Sequence, residues 1–438
     1  MIKGFLKDPD LREVLSGTAV ALVLKVFGAC LSFGFTVLLA QYFGAEGSGV
    51  YFLALSIITI FTVVGMFGMG TSSVRYVALF SQSEKWSDVH QVSKLVDRTA
   101  LIFLTVISSV LFLSADILSD SILKAELSEP LRWMALAILP FGILQLYAEK
   151  LRGLKQIGKS SSLQGLVFPA LNLLGLYLFF EYYGALSPAF SFVIASFITM
   201  AVAILYWRNG HFFTKNGNVT LNKNDFFVSC KSVFVGDIAT RIIIPWAPFI
   251  LLGVWVSTSE VGIYGVANRV SMLTAFVLVA INSIAAPKIS ALYHEKNMKQ
   301  LDKVAKKSTL LMTVIVLPFL LSIMIFTESI MSLFGDEFSY SVVPLQILLA
   351  GQLVNVMCGP VGYMLMMTGN ESIYKKITTF SIVIMLSTSL YMIPAFGVNG
   401  AALATAITMV FQNFLFAYFG YKKIGVSTLW FLKRKIYE

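Results

Sequence analysis

Charge is in short supply in this sequence. Only 13% of its 438 residues are Asp, Glu, Lys or Arg, against about 25% in soluble domains. With 57% hydrophobic residues and a mean hydropathy of +0.80, water-soluble packing could not hide the apolar remainder. Histidine and cysteine are scarce too, at three each. His90, His211 and His294 fall in polar connections, so no catalytic or metal-binding cluster is expected. Cys30, Cys230 and Cys358 lie far apart in or beside apolar blocks; they offer neither a disulfide framework nor a zinc spacing and read as small packing residues. No cofactor and no metal is expected. The alternating pattern of a barrel strand is also missing, because residues 50–70 and 310–326 are apolar on every face. Nor is a cleaved leader expected: the charged start, with Lys3, Lys7, Asp8, Asp10, Arg12 and Glu13, runs into an apolar stretch too long for a signal-peptide core.

What is present is a series of apolar blocks, most near or beyond the ~20 residues that cross about 30 Å of hydrocarbon. The expected fold is an all-α integral membrane protein with about 12 transmembrane helices. They are placed near residues 14–42, 47–74, 98–115, 131–149, 162–183, 187–207, 226–256, 261–287, 308–328, 341–367, 377–395 and 398–421. Basic residues gather at one set of ends: Lys85, Lys94 and Arg98; Lys150, Arg152, Lys155 and Lys159; a run from Lys288 to Lys307; Lys375 and Lys376; Lys422, Lys423, Lys433, Arg434 and Lys435. Glu46, Asp116, Asp120, Glu126, Glu129, Glu260, Asp336 and Glu337 mark the other ends. Retained basic loops mark the cytoplasmic side, so a multi-pass protein of the cell inner membrane with both termini cytoplasmic is expected. The net charge of +10 is explained by anionic membrane lipids and calls for no nucleic acid.

The chain also repeats itself. Gly49-Val50-Tyr51 recurs as Gly262-Ile263-Tyr264 at an offset of 262 − 49 = 213, which also sets Ala54 on Ala267, Arg75 on Lys288, Gly184 on Gly397 and Ala189 on Ala402. Six spans per repeat make the halves parallel, as in transporters that alternate the opening of a central cavity. The expected organisation is an N-terminal half over 1–207, a cytoplasmic linker over 208–225, a C-terminal half over 226–421 and a basic tail over 422–438.

Residues 38–44, Leu-Leu-Ala-Gln-Tyr-Phe-Gly, are followed by Gly47-Ser48-Gly49-Val50-Tyr51, then by Gly65, Gly68 and Gly70 ahead of Ser72-Ser73-Val74-Arg75-Tyr76. With Val261-Gly262-Ile263-Tyr264 and the six-plus-six layout, they resemble the polysaccharide transporter branch of the MOP flippase superfamily, with its Wzx-like oligosaccharide flippases. The resemblance implies a MATE/MOP-like fold and a cationic central cavity for the diphosphate-sugar head of an undecaprenyl carrier. The substrate would be a lipid-linked oligosaccharide for surface polysaccharide, and the partners would be membrane lipids and other polysaccharide assembly proteins. Twelve spans set the chain apart from the fourteen-helix lipid II flippases. A MATE-type multidrug or organic-cation antiporter is the alternative, though it needs acidic cavity residues. A glycan polymerase or glycosyltransferase would need a larger loop or a carboxylate–histidine cluster, so an enzyme is not expected.

Ionisable groups inside a membrane are costly and are the default functional candidates. Lys25, Arg241 and Arg269 lie within spans one, seven and eight and are the candidate diphosphate ligands; the offset sets Arg241 on Gly28, less than a turn from Lys25. The bland reading of Arg241 is an ion pair with Asp237, four residues earlier on the same face. Asp237 is otherwise the candidate for H+ or Na+ coupling. Glu149, beside Lys150 and Arg152, reads as part of a solvated ion pair. Pro245 and Pro248 should bend span seven and could serve a gate. Polar residues such as Gln145, Asn172, Asn282, Gln352 and Asn355 read as interhelical contacts.

Overall fold

The computed structural model describes residues 9–120, 125–209 and 220–428. The chain start with Lys3 and Lys7, Lys124, His211 and the tail with Lys433, Arg434 and Lys435 lie outside these residues. Among the described residues all regular structure is helical. In chain order the helices are α1 (Pro9–Met66), α2 (Met69–Gln82), α3 (Trp86–Leu118), α4 (Ser128–Ala135), α5 (Ile138–Gly153), α6 (Ile157–Ser162), α7 (Phe168–Tyr183), α8 (Ser187–Arg208) and α9 (Lys223–Asp237). There follow α10 (Ile244–Trp255), α11 (Thr258–Ser271), α12 (Ala275–His294), α13 (Met298–Ile325), α14 (Thr327–Ser332), α15 (Val342–Cys358), α16 (Val361–Met367) and α17 (Glu371–Ile424). Wider π turns at Leu163–Val167 and Ile238–Ile243 join α6 to α7 and α9 to α10.

Eight helical runs among the described residues are long and apolar enough to cross a bilayer, or nine if α4 and α5, bent by 46°, form one span. Three of the eight are 44, 52 and 54 residues long, about twice what one crossing needs. Each contains a glycine at positive φ: Gly44, Gly184 and Gly397.

The 213-residue offset recurs in the backbone. Gly184 (φ 49°, ψ −126°) and Gly397 (φ 55°, ψ −130°) break their runs in the same conformation. Four helix ends are closed by a left-handed residue whose successor donates to the carbonyl five positions back, the Schellman closure. The bonds are Lys85 to Phe80 (2.9 Å), Gln156 to Leu151 (3.0 Å), Asn297 to Leu292 (2.9 Å) and Asn370 to Leu365 (3.0 Å). The donors pair at 297 − 85 = 212 and 370 − 156 = 214. Three of the left-handed residues are Glu84, Lys155 and Lys296. Each accepts a conformation that disfavours a side chain in order to close the helix.

Three expected spans end differently; the tenth, expected over 341–367, stops at Cys358, where Gly359 takes positive φ. The second, expected over 47–74, stops at Met66; Phe67 and Gly68 take positive φ and α2 starts afresh. The cause is tertiary, since Gly68 lies against the backbone of Cys230 and Phe234 in α9, where a Cβ would collide. The fourth, expected over 131–149, is bent where α4 meets α5.

The chain packs as two compact units, residues 1–242 and 243–438. In the first, α7 packs on α8 and α2 on α5, with Phe141, Phe168 and Phe192 in mutual ring contact. α9 belongs to this unit: Phe234 meets Phe67 at 4.9 Å and Phe226 meets Tyr76 at 5.2 Å between ring centroids. The chain entering α9 is held by buried Asp88, which accepts from the Thr220 and Leu221 amides at 2.7 and 2.9 Å. In the second unit α17 packs on α10 and α15. Tyr374 stacks on Phe416, the Tyr264 hydroxyl meets Thr405 at 2.8 Å, and Glu260 accepts from the Val398 amide at 2.7 Å beside the Gly397 break.

Candidate functional site

The site grows from the end of α5, Glu149-Lys150-Leu151-Arg152. Residues three apart share a helix face and adjacent ones do not, so Glu149 and Arg152 meet while Lys150 turns elsewhere. Arg152 Nη1 donates to both Glu149 carboxylate oxygens, at 2.8 and 3.1 Å. On the same carboxylate, Arg241 Nη2 stands 3.9 Å from Glu149 Oε1, while its Nε stands 3.4 Å from Asp237 Oδ1. Both Arg241 contacts are ion pairs without hydrogen-bond geometry; among the described residues its guanidinium makes no hydrogen bond. The carboxylates are the buried members, with side chains 10% and 15% exposed, whereas Arg241 and Arg152 are 35% and 43% exposed.

Lys25 joins at longer range, attracted by Glu149 and repelled by Arg152. It is exposed and, among the described residues, forms no ion pair. Its turn of α1 is placed by backbone packing: Gly28, one turn on, lies against Gly165 in the Leu163–Val167 π turn, and a Cβ on Gly28 would run into the Gly165 carbonyl. Gly70 of α2 lies close enough to Glu149 that an added Cβ would touch its Cγ at 3.6 Å. Three cations and two carboxylates thus converge from α1, α5 and the α9–α10 junction. Guanidinium groups that are incompletely hydrogen-bonded and partly screened from water can grip a phosphate strongly, because charge-assisted bonds gain strength at low dielectric.

Sequence reasoning found Lys25, Arg241 and Asp237; the structure pairs Arg241 with Asp237, and Lys25 reaches the group only at longer range through Glu149 and Arg152. Arg269 lies in the last turn of α11, half-buried, in the other compact unit. Pro245 sits in the first turn of α10 and Pro248 is buried inside that helix; the π turn just before them carries Arg241. Two expectations are corrected. Glu149 is buried and bridges Arg152 and Arg241 rather than being solvated. Lys150, counted among the basic loop residues, is fully buried on another face of α5. Its ammonium lies 2.7 Å from Asp97 Oδ1, 3.0 Å from Ser93 Oγ and 3.4 Å from the Tyr147 ring centroid, with Trp207 at 4.9 Å. The i,i+3 spacing of Glu149 and Arg152 was the available signal for the first; nothing in the sequence pairs residue 150 with residue 97. Among the interhelical candidates, Asn172 accepts from Ser191 across α7 and α8 at 3.0 Å, while Asn355 and Gln352 bond within α15.

Residues 14–293, well over half of the chain, match the model of a family described as "Polysaccharide biosynthesis protein". The chain belongs to this family. Residues 239–390 also match the MatE family. Among curated relatives of this polysaccharide biosynthesis family member is the "Probable low-salt glycan biosynthesis flippase Agl15" of Haloferax volcanii, 24% identical over 418 residues, covering 93% of this chain and 85% of that one. The fold is that of a multidrug resistance MATE family transporter of the MOP superfamily in its inward-facing conformation (TM-score 0.77, 14% identity, 93% of this chain and 98% of that one). It is likewise that of the lipid II flippase MurJ in an inward closed conformation (TM-score 0.74, 14% identity, 91% and 87%). The chain is a multi-pass membrane protein that shares the fold of these structures.

Proposed function

We propose that this family member flips an undecaprenyl-diphosphate-linked oligosaccharide from the cytoplasmic to the outer leaflet of the inner membrane, for surface polysaccharide synthesis. Arg241, Arg152 and Lys25 are the observation that carries this reading: cations gathered inside apolar helices, with guanidinium donors still open to an anion. A diphosphate supplies the charge they lack, while the polyprenyl tail stays in lipid. Arg269 would offer the matching cation from the second half. Asp237 would exchange H+ or Na+ as the cavity alternates between faces, and the Pro245–Pro248 stretch would bend as the gate. Breaks at Gly44, Gly184 and Gly397 divide the three double-length runs, which with the bent pair gives twelve spans, both termini in the cytoplasm and room for other assembly proteins on the basic face.

Deletion in the native host, followed by analysis of undecaprenyl-linked intermediates, tests the reading. Accumulation of one intermediate on the cytoplasmic face with loss of a surface glycan is expected, and Lys25→Ala or Arg241→Ala should reproduce it while the protein still inserts. Normal glycan in both variants, or drug resistance on expression with no glycan phenotype, overturns it.

A further inference from the structure

Glu149 has no counterpart in the demands of an anionic substrate: a carboxylate among cations meant for phosphate lowers their field. Yet it is buried, it occupies Nη1 of Arg152 through both of its oxygens, and it lies 3.9 Å from Arg241. Asp237, the second carboxylate, holds the Nε edge of Arg241 at 3.4 Å. Without Glu149, Arg152, Arg241 and Lys25 would leave Asp237 as their one anion here, in a region where an uncompensated charge is expensive.

The two bonds of Glu149 differ in kind. With Arg152 it is a charge-assisted hydrogen bond at 2.8 Å between neighbours on one helix. With Arg241 it is a long ion pair across helices without hydrogen-bond geometry, which a stronger acceptor can replace. A diphosphate presents more charge and more acceptor oxygens than one carboxylate, and it suits the planar fork of Arg better.

We propose that Glu149 is an internal counter-anion that an organic diphosphate displaces from Arg241, so that the empty transporter keeps most of this positive charge balanced and substrate binding is an exchange of anions. The proposal rests on the reading of Arg241 as a phosphate ligand. Exchange keeps the resting state stable without a bound anion and limits how tightly the headgroup is held, so the diphosphate can leave on the other side. The groups facing Glu149 are Arg152 on its own helix, Lys25 on α1, and Asp237 and Arg241 at the α9–α10 junction; Gly70 of α2 adds no charge.

The test is calorimetric binding of inorganic pyrophosphate to the purified full-length protein in lipid nanodiscs. Glu149→Gln, which keeps shape and removes charge, should bind about tenfold more tightly than the unmodified protein. Glu149→Asp, a methylene shorter and still charged, should fall between the two, and it carries the test if the Gln variant does not fold. Equal or weaker binding by Glu149→Gln at an unchanged melting temperature overturns the exchange. If Glu149→Asp must carry the test, binding no tighter than that of the unmodified protein overturns it. Arg241→Ala separates the two readings. If it abolishes pyrophosphate binding while Glu149→Gln does not tighten it, the phosphate site stands and the exchange fails. If Arg241→Ala binds normally, the phosphate site itself falls.

Discussion

Two charge networks leave the end of α5 on different faces, and they are built to opposite standards. Lys150 is sealed: fully buried, bonded to Asp97 and Ser93, and covered by the rings of Tyr147 and Trp207. Glu149, next in the chain, sits in an open network whose cations are a third or more exposed and where Arg241 lacks a hydrogen bond among the described residues. The Lys150 end of this pair is bound to its geometry, because losing Asp97, itself 32% exposed, would strand a fully buried ammonium in a poor solvent. An open network can trade partners at little cost. The first property suits a structural pin, and the second suits a site that must bind and release.

The sharpest way to break this contrast is Lys150→Ala, which leaves Asp97 without its cation. We expect a loss of about 3 kcal/mol, chiefly from the space left under the Tyr147 and Trp207 rings, read as a lower melting temperature in detergent, with glycan export falling only in step with the folded fraction. Gly28→Ala should cost about 2 kcal/mol by overpacking, since its Cβ runs into the Gly165 carbonyl. It should also impair export beyond the loss of protein, because Lys25 rides on the displaced turn. Export that tracks protein amount alone would detach Lys25 from the open network. Arg241→Ala should act chiefly on export. Its pairs are long, but the carboxylates it faces are 10% and 15% exposed, so stability should fall by about 1–2 kcal/mol, while export per folded molecule drops roughly tenfold or more, or about 1.4 kcal/mol in barrier terms. An Arg241→Ala protein that melts early and exports normally per folded molecule would invert the assignment.

The sequence made visible whatever depends on neighbours along the chain. Apolar blocks of about twenty residues announced the spans, the i,i+4 spacing announced Arg241 with Asp237, and the offset set Gly184 on Gly397, which share a conformation in the structure. Contacts across the fold were out of reach. Lys150 looked like any basic residue at the cytoplasmic end of a span, and only the approach of α3 and α8 shows that Asp97 and Trp207 enclose it. Glu149 looked solvated for the same reason, its link to Arg241 crossing ninety-two positions (241 − 149 = 92). The early end of the second span was equally hidden, because α9, which packs against the break at Phe67 and Gly68, comes 162 residues later (230 − 68 = 162, counting to Cys230 at mid-helix).

The mildest substitution tests the boundary between the two networks most closely. Tyr147 lies two residues before Glu149, so any disturbance that travels along α5 reaches both. Its hydroxyl donates to Asp97 Oδ2 at 3.1 Å and its ring covers the Lys150 ammonium at 3.4 Å. Tyr147→Phe removes the hydroxyl and keeps the ring, so only one hydrogen bond to a carboxylate already held by Lys150 is lost. A destabilisation of about 1 kcal/mol is expected, visible as a small drop in melting temperature. Export per folded molecule should stay unchanged, because the ammonium, its cation–π contact and its bond to Asp97 keep α5 in place. If Tyr147→Phe instead depresses export as far as Arg241→Ala does, the sealed pair is part of the transport machinery, and the division at the end of α5 fails where two adjacent side chains part.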